Sequence, residues 1–363
     1  MEQWKEYRLG DLLNFRRGHD LPKSEMIAGD IPVAGSNGVI GFHNEATPIS
    51  PCITIGRSGN VGTPNFYEKC WAHNTVLYID DFKENNPEFL FYLLKTIPLK
   101  SFGGGSAVPT LNRNHIHPIV VKSTKDIKLQ QKIVDILKSL DDKIELNRQI
   151  NDTLEQQAQA LYLSYFSDTP LCCLGDMVKT ASGGTPSRNN LDYYSHSGID
   201  WVKSKELNRS IIFQTEERIT NNAINYSSAK VLPKYSTLIA MYGATVGEYG
   251  LIAEPMTCNQ AICALIPNEN YPYTYLFMFA KNVRQELINN AVGSAQQNIS
   301  QVMIKNMQIS SDLDSIKKFD DSVRGIFDSY IHLSKEILYL TELRDTLLPR
   351  LMSGELKINE INC

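Results

Sequence analysis

The side chains best suited to chemistry in this chain sit on turn-rich stretches around glycine. In the first third, Arg57, Ser58 and Asn60 lie in GRSGN, His73 and Asn74 in WAHNT, and Asn112, Arg113 and Asn114 in LNRNH. Further on, Thr185, Ser187 and Arg188 lie in GGTPSRN, and Lys203 and Lys205 in WVKSKEL. Tyr242 lies in MYGAT, Asn259 and Gln260 in TCNQA, and Gln296, Gln297 and Asn298 in SAQQNIS. A guanidinium pairs bidentately with guanine and an Asn or Gln amide with adenine, while flanking glycines let backbone N–H groups approach phosphates. Taken singly, each of these residues is more often a solvated loop side chain than a base contact. The signal is that they recur at corresponding places in two halves of the chain.

Catalytic signatures are missing from the sequence. It has no GxxxxGK[ST] loop, no GxGxxG after a strand, no HExxH and no GxSxG. The run Gly103 to Gly105 lacks the Lys and hydroxyl of a phosphate loop and reads as a turn. Asn86-Pro87-Glu88-Phe89 superficially resembles a methyltransferase Asn-Pro-Pro-Tyr/Phe motif, but it lacks the second proline and is better explained as a helix start. His19, His43, His73, His115 and His117 show no metal-ligand spacing, and the seven cysteines are odd in number with no CxxC. The expectation is binding without catalysis, metal or cofactor.

Two long helices must position these loops. From Thr124 to Phe166 there is neither Gly nor Pro, and a heptad seam runs through Ile133, Leu137, Leu140, Ile144, Asn147, Asn151, Leu154, Ala158, Leu161 and Tyr165. A second seam runs through Phe319, Val323, Ile326, Tyr330, Leu333, Ile337, Leu340, Arg344, Leu347 and Leu351. A helix of roughly forty residues is about 60 Å long, a spacer as well as a surface. The polar Asn147, Asn151 and Arg344 read as register-fixing positions or as a fraying edge. Ser123 or Thr124 is the expected cap of the first helix, with Asp126 in its first turn, and Ser311 with Asp314 repeats that arrangement.

The chain then begins again. LGDMV at Leu174 echoes LGDLL at Leu9, and MYGATVGEYG at Met241 echoes GRSGNVGTPN at Gly56. VGSAQQNISQVMIKNMQI at Val292 echoes GGSAVPTLNRNHIHPIVV at Gly104. Helices are expected at Glu88 to Ile97 and, as its echo, at Tyr273 to Val283. The common order points to tandem duplication, with an insertion in the second copy at about Asp192 to Asn225 that contains GIDWVKSKEL. The expected fold class is α+β. Two loop-rich mixed α/β domains, 1–122 and 168–310, alternate with long helices at 123–167 and 311–357, and 358–363 is a tail. The helices pair as an antiparallel coiled coil about a pseudo-twofold axis, with the domains at its ends.

Length and composition fit this picture: 363 residues, 42% hydrophobic, net charge -4. Each globular segment is neutral, with 12 basic against 12 acidic residues in 1–122 and 11 against 11 in 168–310. The acidic excess lies in the helical segments, so a basic face on each domain remains open. The charged start MEQWKEYRLGD has no apolar signal core, and no apolar run is long enough to span a bilayer, so a cytoplasmic protein without a membrane partner is expected.

The whole chain resembles the specificity subunit (HsdS) of type I restriction-modification systems. QQKIVDILKSLDDKIELNRQINDTLEQQAQALYLSYF at Gln130 and LRDTLLPRLMSGEL at Leu343 look like that family's conserved helices. LGDMVKTASGGTPSRNNLDYYSHSGIDWVKSKEL at Leu174 resembles one type of target recognition domain. GDIPVAGSNGVIGFHN in the first domain looks like another type, which implies different half-site sequences. The resemblance implies that each domain reads one half of a bipartite site in double-stranded DNA while the coil acts as a ruler for the spacer. It further implies docking of two modification subunits, which bind S-adenosylmethionine, and of restriction subunits that translocate DNA. Two rivals stand beside this reading: a self-contained DNA methyltransferase or nuclease with fused recognition domains, and a coiled-coil adaptor that does not bind DNA.

Overall fold

The computed structural model describes residues 4–104, 110–291 and 298–358. The chain divides into two compact units, Met1–Ile144 with Tyr339–Cys363 and Glu145–Leu338. Each unit thus combines one globular segment with stretches of both long helices. Among the described residues, no helix is long and apolar enough to cross a membrane.

In the first unit the strands are β1 (Lys5–Arg8), β2 (Asn14–Arg17), β3 (Ile31–Gly35), β4 (Gly38–His43), β5 (Cys52–Gly56), β6 (Pro64–Tyr67), β7 (Trp71–Ala72), β8 (Val76–Asp81) and β9 (Val120–Ser123). The helices are α1 (Leu9–Leu12), α2 (Pro87–Thr96), α3 (Arg113–Ile116) and the start of α4 (Ile127–Phe166). Strand β5, CITIG, is buried along its whole length because it sits inside the antiparallel order β2-β8-β5-β6, with β8 on one side and β6 on the other. A second sheet, β4-β3-β7, pairs β3 parallel to β7. Helix α2 starts as its sequence dictates: Asn86 Oδ1 accepts from the Phe89 N–H (3.1 Å), with Pro87 in the first turn. Its buried Phe89, Leu90, Leu93 and Leu94 share one core with Phe15, Ile53, Ile55 and Leu77. Ile133, Val134 and Leu137 of α4, with Leu348 and Leu351, complete that core. Full burial of each such side chain is worth about 1.5–3 kcal/mol, so the helix ends are held by domain packing as well as by the seam.

The second unit repeats this framework. Its elements are β10 (Leu171–Cys173), α5 (Leu174–Met177), β11 (Thr180–Ser182), β12 (Tyr194–Val202), β13 (Ile211–Ile212), β14 (Arg218–Ile219), α6 (Asn221–Tyr226), β15 (Thr237–Ala240), β16 (Tyr249–Ile252), β17 (Thr257–Cys258), β18 (Ile262–Leu265), α7 (Tyr273–Asn289), α8 (Gln301–Lys305), β19 (Gln308–Ser310) and α9 (Leu313–Met352). The order β11-β18-β15-β16 matches β2-β8-β5-β6, with β13 added at its edge, and β10-β19 matches the antiparallel pair β1-β9. The repeated Leu-Gly has a steric cause. A Cβ on Gly10 would lie 3.0 Å from His117 Cβ, and one on Gly175 would lie 2.9 Å from Lys305 Cβ.

Backbone pairing corrects three sequence expectations. Val33 and Ala34 pair parallel with Trp71 and Ala72 as Trp201 and Val202 pair with Thr257 and Cys258, so the GIDWV strand is shared framework and not inserted material. Arg57 N–H donates to Thr75 O as Met241 N–H donates to Ala261 O, which shifts the GRSGN echo by one residue: Arg57, not Gly56, corresponds to Met241. The long helices also start later than Thr124 and Ser311. Ser123 is held opposite Lys5 in β9, and Asp126 Oδ1 accepts from the N–H groups of Lys128 and Leu129 (3.0 and 3.2 Å). Asp312 Oδ1 accepts from Ser315 N–H in the same way (3.1 Å). A carboxylate cap also complements the helix dipole, which a hydroxyl does not.

Helices α4 and α9 are 40 residues each. On α4, Ile133, Leu137, Ile144, Asn147, Asn151 and Ala158 are buried, while Leu140, Leu154, Leu161 and Tyr165 are half-buried. On α9, Phe319, Val323, Tyr330 and Leu351 are buried, while Ile326, Leu333, Ile337, Leu340, Arg344 and Leu347 are half-buried. Within the second unit the pairing is antiparallel: Asn147 meets Glu336, Asn151 meets Ser334 and Tyr165 meets Ser322. Within the first unit Arg344 Nη1 donates to Asp141 Oδ1 (2.7 Å), and the other Asp141 oxygen accepts from Tyr92 Oη (2.8 Å). Asp141 therefore ties Arg344 of the partner helix to Tyr92 of the domain.

Candidate nucleic-acid interface

The first unit gathers part of the candidate set into one cleft of about 720 Å³. Arg57, Asn112 and Arg113 line it, together with Arg16 and Arg17 of β2 and His115. Each is placed by its element. Strand β2 ends in two exposed arginines just before Gly18, where a Cβ would lie 2.1 Å from the His73 carbonyl oxygen. Arg57 leaves the end of β5 with its N–H bonded to Thr75 O (2.8 Å) and its carbonyl accepting from Leu111 N–H (2.7 Å). Asn112 caps α3, its Oδ1 accepting from Asn114 N–H (3.0 Å), which leaves the Arg113 and Asn114 side chains exposed. Ser58 bridges to Thr110 beside the cleft. His73 and Asn74 lie on the turn between β7 and β8: His73 Nδ1 is 3.0 Å from Thr75 Oγ1, and Asn74 Nδ2 donates to Asp20 Oδ1 (2.6 Å). Asn60 is exposed in the turn between β5 and β6 and, like Asn114, does not line the cleft.

No Asp or Glu among the described residues lines this cleft. Among the described residues, none of Arg16, Arg17, Arg57 and Arg113 is in an ion pair; Arg57 Nη1 reaches Asn74 O (3.5 Å) and Arg113 Nη1 donates to Phe15 O (3.4 Å). Arg16 and Arg17 are absent from the loop-based candidate set because they end a strand. The adjacent RRG before a framework glycine was the available signal.

The second unit treats its cations differently. Arg188 Nη1 is 2.5 Å from Glu217 and its guanidinium lies over the Tyr194 ring at 4.4 Å. Lys203 reaches both Glu217 (2.8 Å) and Glu216 (3.1 Å), and Lys205 reaches Glu216 (2.6 Å). Hydrogen bonds from Arg188 and then Lys203 hold the Glu217 carboxyl down at about 2, so the network stays charged at any ordinary pH. All three candidates are paired within their own chain, three cations sharing two carboxylates. Thr185 and Ser187 are exposed on the loop after Gly184. Asn259 and Gln260 occupy the place of His73 and Asn74, with Asn259 N–H donating to Val202 O as His73 N–H donates to Ala34 O. Tyr242, 41% exposed, bridges to Asn298 as Ser58 bridges to Thr110. Gln296 and Gln297 lie outside the described residues. No group of three or more His, Cys, Asp or Glu among the described residues is placed to hold a metal ion.

The chain matches the model of the type I restriction modification DNA specificity domain twice, over residues 1–156 and 168–311. It is 26% identical to the type I restriction enzyme HindI specificity subunit of Haemophilus influenzae, over 74% of this chain and 77% of that one. It is 24% identical to the MjaIX specificity subunit of Methanocaldococcus jannaschii, over 76% of this chain and 70% of that one. A crystal structure of the type I restriction-modification S subunit from M. genitalium shares the fold, with TM-score 0.65 over 96% of each chain at 14% identity. With both halves matched and folded on one repeated framework, the chain belongs to the type I restriction-modification DNA specificity family.

Proposed function

We propose that this chain is the specificity subunit of a type I restriction-modification complex and contributes sequence recognition without catalysis. Each globular segment reads one half of a bipartite site in double-stranded DNA, and the paired helices set the unread spacer. The helices also dock two modification subunits, which carry S-adenosylmethionine and methylate the DNA; restriction subunits join that core. The observation that carries this reading is the double match to the specificity-domain family, one match to each half of the repeat. The interruption of the coil by hydrogen-bonded polar residues supports a fixed register, which a ruler needs.

Expression of the chain with its modification subunit in a methylation-free host, followed by methylome sequencing, tests the proposal. The expected result is one bipartite motif with a constant spacer, and no methylation when either protein is omitted. Methylation by the purified chain alone, or a continuous motif, would overturn it.

A further inference from the structure

We propose that the cleft holding Arg16, Arg17, Arg57 and Arg113 is a phosphodiester grip confined to the first recognition domain, so that the two half-sites are held unequally. This rests on reading the chain as a DNA-specificity subunit. Four guanidinium groups share one cleft with no carboxylate on its lining and no ion pair among the described residues. Guanidinium stays charged at all working pH values, so these groups repel one another until an anion arrives. A duplex supplies phosphates in a row and releases its own counterions on binding.

The repeated framework supplies an internal comparison. Gly10 matches Gly175 and Gly18 matches Gly183, which places Ala181 and Ser182 where the first domain has Arg16 and Arg17. Leu111 N–H donates to Arg57 O as Ile299 N–H donates to Met241 O, which places Met241 for Arg57 and Gln301 for Arg113. All four charges are gone. What replaces them is closed on itself: Ser182 Oγ donates to Gln301 Oε1 (2.8 Å), and Gln301 Nε2 donates to Thr180 Oγ1 (2.9 Å). Met241 is buried. Three of the second domain's cations, Arg188, Lys203 and Lys205, are already paired with Glu216 and Glu217. At this place in the repeated framework, attraction to the DNA backbone is therefore present in the first domain and absent from the second.

The test uses the full chain assembled with its modification subunits, one duplex bearing the methylated site and one scrambled duplex, each titrated across a salt series. Replacing both Arg16 and Arg17 with Gln is expected to flatten the dependence of log Kd on log salt by about 2, at about 0.9 per phosphate contact. Both duplexes weaken by the same factor and discrimination is unchanged. The R16K/R17K variant restores the slope, which a folding defect would not allow. An unchanged slope in R16Q/R17Q, or loss confined to the specific duplex, overturns the grip while leaving the DNA-specificity reading intact. A wild-type complex that binds neither duplex overturns both.

Discussion

His117 shows how one side chain couples the cleft to the stability of its domain. The Phe15 N–H donates to His117 Nε2 (3.0 Å), and the two rings stack with centroids 6.1 Å apart. Only a neutral imidazole accepts that bond. Burial, then the charges of Arg113 and Lys83, hold its pKa below the usual histidine value. The unfolded chain therefore takes up the proton first. The histidine's contribution is complete above the unfolded pKa of about 6.5 and is lost as pH falls through the folded value. We predict that His117→Leu lowers the unfolding temperature near neutral pH, and that the gap to wild type narrows on acidification; a gap independent of pH would refute the linkage. At this scale the sequence was partly legible. Arg57, Asn112 and Arg113 stood out because glycine and asparagine mark loops, whereas Arg16 and Arg17 were hidden by ending a strand. Arg188, Lys203 and Lys205 looked available by type alone, since no local pattern announces that Glu216 and Glu217 fold back onto them.

Among the elements, the long helices were the most legible and their ends the least. Heptads over roughly forty residues have few competing interpretations, but a start can move by three residues when a neighbouring strand claims Ser123 and an aspartate caps better. The GIDWV strand was misplaced for a related reason: parallel pairing with a distant two-residue strand leaves no local signature. The coil's polar layer carries its own prediction. Asn147 Nδ2 donates to Glu336 Oε2 (2.8 Å) and Asn151 Nδ2 to Ser334 Oγ (3.0 Å), while both Asn Oδ1 atoms are buried without a partner among the described residues. Each unpaired oxygen costs about 1–3 kcal/mol, a stability loss that buys register. The double variant N147L/N151L is expected to raise the unfolding temperature by roughly 2–4 °C and to mix spacer lengths in the methylome. A lower unfolding temperature would show that the amides stabilise the coil outright.

For the whole molecule, the ruler proposal predicts a length. One heptad inserted into each long helix, after Asn147 and before Glu336, adds about 10 Å of coil and should lengthen the spacer by about 3 base pairs. Methylome sequencing is expected to show both half-sites unchanged; altered half-sites would count against separate reading and measuring parts. The duplication that underlies this division was legible from Leu-Gly-Asp and from the ordered echoes, because a buried glycine contact and a repeated turn constrain residue types directly. The electrostatic difference between the copies was not, because equal counts of charged residues conceal which of them are paired. The strand pairs β1-β9 and β10-β19 have a consequence for inheritance. Lys5 lies opposite Ser123 and Leu171 opposite Ser310, so the chain enters and leaves each globular segment side by side. A gene exchange with its breakpoints in those strands would replace a recognition domain as one cassette and leave both long helices untouched, giving its host a new target sequence in a single recombination.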